Sequence, residues 1–132
     1  MGTGSNFNDM SKPRVMVKVG NAGDTGSVEI VEMLFTVKGP TKGAILMEWN
    51  VKSSGQGNAG MWDSHFRVGG AKGSDLDMGL CAKLQGNVVE NCIAASLLFH
   101  VTKSGSGYFE NVWVWTADQW VLKGPYVGEE PR

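Results

Sequence analysis

A short run of alternating side chains occurs three times along the chain. In Met61-Trp62-Asp63-Ser64-His65-Phe66-Arg67-Val68-Gly69-Gly70, strand geometry sends Ser64, Phe66 and Val68 to one face and Asp63, His65 and Arg67 to the other. Val31-Glu32-Met33-Leu34-Phe35-Thr36-Val37 repeats this grammar upstream, and Glu110-Asn111-Val112-Trp113-Val114-Trp115-Thr116 repeats it downstream. Aligned on Glu32, Asp63 and Asn111, the copies share an inward set: Met33/Ser64/Val112, Phe35/Phe66/Val114 and Val37/Val68/Thr116. Their outward columns are Leu34/His65/Trp113 and Thr36/Arg67/Trp115.

Each copy follows another predicted strand and a glycine-rich turn. These strands are residues 15–19, Ala44–Trp49 and Leu97–Val101. Ala44–Trp49 is continuously apolar except at Glu48. Residues 93–101 have helical propensity, but Leu98-Phe99-His100-Val101 suits a strand leading into a turn. The polar anchors stand 31 residues apart and then 48 apart, and the longer interval holds the irregular stretch 71–91, which reads as a loop insertion. Strand-turn-strand units at such a period are what stacked solenoids show. A β-sandwich with short strands is the competing architecture. The column-by-column match favours the parallel solenoid, of about three coils, whose open ends call for a cap or a second copy. The expected division is a flexible N-terminal segment 1–12, a repeat domain 13–118 and a divergent C-terminal cap or tail 119–132.

Composition agrees with one folded domain. Apolar residues make up 42% of the chain and charged ones 19%, which argues against disorder. Twelve basic residues against thirteen acidic ones leave no basic footprint for a nucleic acid. No apolar run approaches the roughly 20 residues that span a bilayer. The start, Met1-Gly2-Thr3-Gly4-Ser5, lacks the basic and apolar regions of a signal peptide. Cys81 and Cys92 are too few for a zinc site. Spacing alone allows either a disulfide around the intervening loop or two buried thiols.

Several runs resemble a known family. Thr36-Val37-Lys38-Gly39-Pro40-Thr41, Gly43-Ala44-Ile45-Leu46-Met47-Glu48-Trp49-Asn50, Gly60 to Ala71 and Glu110-Asn111-Val112-Trp113-Val114-Trp115 are similar to fungal glycoside hydrolase family 55, the β-1,3-glucanases. The resemblance covers residues from about 13 to 118. It implies an all-β fold, a short right-handed parallel β-helix, with Cys81 and Cys92 closing a disulfide loop. It also implies a secreted chain, extracellular or in the cell wall. After Trp115 the family continues with an Ala-Asp-His-Asp-like run, whereas this chain reads Thr116-Ala117-Asp118-Gln119-Trp120. The family's general acid and water-positioning residues lie on other coils. Inverting hydrolysis needs two carboxyls about 6.5–9.5 Å apart, and neither is carried over to a position here, so no residue is assigned a catalytic role.

The remaining candidates are weighed on chemistry. The column Glu32/Asp63/Asn111 cannot be an acid-base set, because an amide does no proton chemistry; it reads as a coil corner bonding to turn backbone. Glu48, which interrupts an apolar strand, keeps a candidate role beside Trp49. His65 and His100 lack metal-ligand spacing, and no metal or cofactor is expected. Trp113 and Trp115 should point outward beside His65 and Arg67. Such an aromatic strip suits either a pyranose ring or a protein interface, while Trp49 and Trp62 suit the core or a corner equally well. The expected function is a non-catalytic binding or interaction protein, with β-glucan or another carbohydrate as the candidate ligand. Its carbohydrate-binding or interface residues are His65, Arg67, Trp113, Trp115, Trp49 and Glu48, an interface being favoured over a sugar site for the Trp113/Trp115 strip. Self-association would use the open coil ends or the Trp113/Trp115 face. The alternatives are a fragment of an active β-1,3-glucanase and a scaffold unrelated to glucan.

Overall fold

Where β-branched and aromatic residues alternate with polar ones, the chain forms strands. A computed structural model describes residues 4–81 and 89–117. The expected tail 119–132 lies outside them, as does most of the loop between the cysteines. The described strands are β1 (Arg14–Val19), β2 (Thr25–Gly26), β3 (Val28–Val31), β4 (Leu34–Thr36), β5 (Ala44–Trp49), β6 (Lys52–Ser53), β7 (Ala59–Trp62), β8 (His65–Val68), β9 (Leu97–Val101), β10 (Tyr108–Glu110) and β11 (Trp113–Thr116). They build three three-stranded sheets in the orders β1-β5-β9, β3-β7-β10 and β4-β8-β11, with a short β2-β6 pair. Every neighbouring pair is parallel. The chain thus visits the three sheets in one order, three times over. The described chain is all-β, without an α-helix, and no described helix is long and apolar enough to cross a membrane.

The pairing register is the one the copies predict. Leu34, His65 and Trp113 stand in line, as do Phe35, Phe66 and Val114, and Thr36, Arg67 and Trp115. The anchors Glu32, Asp63 and Asn111 have φ of 54°, 50° and 51°. Each is a single left-handed residue between two strands, a conformation open to few residues other than glycine, asparagine and aspartate. Backbone bonds continue around this corner: Glu32 N–H donates to Trp62 O, Asp63 N–H to Glu110 O and His65 N–H to Met33 O.

Inside, aromatic rings link the sheets. Phe66 stacks between Phe35 at 4.9 Å and Phe99 at 5.0 Å, and Phe109 meets both Phe99 and Trp49 edge-on at 5.2 Å. Such contacts add to the burial of the rings. In β5, Leu46, Met47 and Trp49 are all buried, so this strand is covered on both faces. That explains its continuous apolar run.

Two inward or outward assignments need correction, and one inward residue is uncovered. Met33 is 49% exposed rather than interior: it lies on the first pass, at the edge of the stack, whereas its counterpart Ser64 on the middle pass is buried. The Ser64 hydroxyl accepts from Met33 N–H and donates to Trp62 O, bracing the corner. Val114 stays in the inward column but is 50% exposed, since β11 is an edge strand. Thr36, expected outside, is buried.

Cys81 and Cys92 form the disulfide implied by the family resemblance, and both are buried. The inserted stretch folds back on the core through buried Leu76, with Asp75 N–H donating to Lys38 O and Gly70 N–H to Leu76 O. At the other end, a 3-10 turn at Ser5–Phe7 places Phe7 against the core, and Gly43 N–H donates to Phe7 O. A Cβ at Gly43 would collide with the Asp9 backbone, so glycine is required for this approach.

Candidate binding face

The outer face of the β4-β8-β11 sheet gathers four of the six residues singled out in the sequence. Trp113 and Trp115 alternate outward from edge strand β11 and are 57% and 41% exposed. His65 and Arg67 lie beside them on the central strand β8. The His65 ring is nearly parallel to Trp113, at 14° and 6.3 Å between centroids. The Arg67 guanidinium carbon lies 4.7 Å from the Trp115 ring centroid, within cation–π range. Its Nε is buried without a hydrogen-bond partner among the described residues. His65, Trp113 and Trp115 line a shallow, open and almost wholly apolar depression.

The corner column holds this strip in place. Trp113 Nε1 donates to Asn111 Oδ1 at 2.7 Å, and Asn111 Nδ2 donates to Asp63 Oδ1 at 2.6 Å. The polar column therefore does mark a corner, but the side chains of Asn111 and Asp63 also bond each other, and Asn111 fixes the indole. Sequence reasoning passed over Asn111 and Asp63 as site residues. Their signal was the two-residue step from Asn111 to Trp113, which becomes a contact only once the corner folds.

Glu48 and Trp49 are not brought to this face. They belong to β5, in a different sheet. Trp49 is fully buried, its Nε1 donating to Ser106 O, so it presents no ring to a ligand. Glu48 stands in register between Lys18 and His100 and accepts a 2.8 Å hydrogen bond from Asn50 Nδ2. Asn50 also donates to Gly20 O and accepts from Thr102 Oγ1, which makes Glu48 part of a corner brace. His65 has no cluster of ligating partners around it: no group of three or more His, Cys, Asp or Glu that could hold a metal occurs among the described residues.

Fold and face together define a parallel, all-β repeat protein that displays an anchored aromatic strip. No family model matches the chain, but curated fungal proteins do. It is 59% identical over 115 residues to the non-secreted LysM effector LysM15 of Penicillium expansum, covering 87% of this chain and 8% of that protein. It is equally similar over 108 residues to the non-secreted LysM effector LysM19 of the same organism, covering 82% of this chain and 9% of that protein. It is 46% identical over 121 residues to a probable glucan endo-1,3-beta-glucosidase of Arthroderma benhamiae, covering 89% and 14% respectively. Glucosidase names of this kind recur among relatives down to 32% identity. The chain is a glucanase-related segment, as its motifs imply, and spans about a tenth of the length of the curated relatives described here. Its expected secretion is corrected by the two Penicillium relatives, which are named as non-secreted.

Proposed function

We propose that the three passes form a short right-handed parallel β-helix whose Trp113/Trp115 face binds β-1,3-glucan without cleaving it. Crossovers between parallel strands are right-handed in about 98% of cases, which supports the hand. The observation that carries the binding role is Trp113, an indole tied down by Asn111 and yet largely exposed. A pyranose presents an apolar C–H face that stacks on such a ring, and a hydroxyl edge that needs donors and acceptors. Arg67 and His65 supply polar groups beside the indoles, and a ring fixed in advance loses little entropy on binding. The glucan specificity draws on the glucosidase names of the relatives. Neither outward column on this face contains a carboxylate, which favours binding over hydrolysis.

Isothermal titration with laminari-oligosaccharides tests this reading. Wild-type protein should give heat, and Trp113→Ala should weaken binding about tenfold, roughly 1.4 kcal/mol. Silence from the wild type sinks the glucan reading, and reducing-sugar release from laminarin by the purified chain overturns the non-catalytic one. A second reading is favoured by the exposure of Trp113, Val114 and Trp115 in one run: the face pairs with a second copy of the chain. In that case Trp113→Ala and Trp115→Ala lower the mass measured by light scattering and leave sugar binding unchanged.

A further inference from the structure

We infer that a second sugar subsite lies around the corner from the first, on the outer face of the β3-β7-β10 sheet, built from Trp62, Tyr108 and Glu110. It rests on the carbohydrate reading above and extends it to a longer oligosaccharide.

Met61 and Phe109 point into the core, so their neighbours Gly60, Trp62, Tyr108 and Glu110 point outward. Gly60 is in register with Tyr108, and Trp62 with Glu110. A Cβ at Gly60 would come 2.7 Å from Cη2 and 3.1 Å from Cζ2 of Trp62. The indole thus lies down along its strand, over the place a side chain would fill. Its centroid is 6.1 Å from that of Tyr108, with the planes 35° apart. Tyr108 is 51% exposed and donates its hydroxyl to Glu110 Oε2 at 2.8 Å, which holds its ring. Two tilted rings therefore form a shelf, rimmed by Glu110 at one place and by Glu29, in register with Gly60, at another.

The rim selects the ligand. Glu29 and Glu110 are exposed and make no salt bridge among the described residues. Covering them with a dry protein surface would strip water from two carboxylates, with only the Tyr108 hydroxyl on Glu110 in its place, and they repel phosphates. A polyol supplies hydroxyl donors to the carboxylates while its C–H face covers the rings. The chain itself joins the two platforms, because Glu110 is followed at once by Asn111, which clamps Trp113.

Titration of laminaribiose and laminarihexaose into the wild type, Trp62→Ala, Tyr108→Ala and Trp113→Ala tests the extension, with circular dichroism verifying the fold. Trp62→Ala and Tyr108→Ala should each weaken laminarihexaose at least tenfold. Trp113→Ala should weaken both sugars. Wild-type hexaose affinity in Trp62→Ala and Tyr108→Ala, alongside a loss in Trp113→Ala, removes the second subsite and leaves the first. The reverse pattern supports this subsite and removes the first. If Trp62→Ala does not fold, the exposed Tyr108 variant decides alone. A wild type that binds neither sugar overturns both.

Discussion

Asn111 shows how one residue serves backbone and surface together. It occupies a left-handed corner at φ 51° and uses both ends of its amide, donating to Asp63 and accepting from Trp113. Alanine there loses two hydrogen bonds and tolerates the corner less well, so Asn111→Ala should cost about 1–2 kcal/mol in denaturant unfolding. It should also loosen Trp113, reducing the polarisation of its fluorescence. Tyr108 offers a pH test. Glu110, first by accepting its hydroxyl proton and then by its charge, raises the phenol above its ordinary value of 10.0. A phenol raised by folding contributes stability that is fully present below the unfolded pKa and is lost as pH climbs through the folded one. Thermal unfolding above pH 10 should therefore depend less on pH in Tyr108→Phe than in the wild type.

Strand β8 organises the elements around it. It is central in its sheet, and its Phe66 joins Phe35 to Phe99 across the interior. Phe66→Ala leaves a cavity that rigid neighbours cannot close and should cost about 3–5 kcal/mol. Val114 occupies the same column on the edge strand, half exposed, so Val114→Ala should cost less than about 1 kcal/mol. Equal losses in the two variants would mean that the column is not organised from its middle.

For the molecule as a whole, stacking makes every pass a neighbour of the next, and the inserted stretch is tied down by one covalent link. Replacing Cys81 and Cys92 by alanine frees the intervening loop in the unfolded chain. In the loop-entropy account that lowers stability by about 3 kcal/mol, readable as a lower thermal midpoint with the strand signal retained below it. The Lys42–Glu90 ion pair nearby, at 3.3 Å and exposed, is worth little beside this.

Most of the architecture could be read along the chain, because a strand's period of two writes its inner and outer faces directly into the residue order. The copies anchored on Glu32, Asp63 and Asn111 carried the register and the corner. Residues on the outer passes depart from that pattern for a physical reason: edge position uncovers both Met33 and Val114. The site was legible only in part. Outward pointing of Trp113, Trp115, His65 and Arg67 follows from alternation, but burial of Trp49 and Thr36 depends on what packs over them. The Asn111 clamp on Trp113, and the Trp62 ring lying across Gly60, are contacts between side chains that alternation cannot specify. They arise because folding brings separate passes within hydrogen-bond and van der Waals distance, and that proximity has no signature in a single linear pattern.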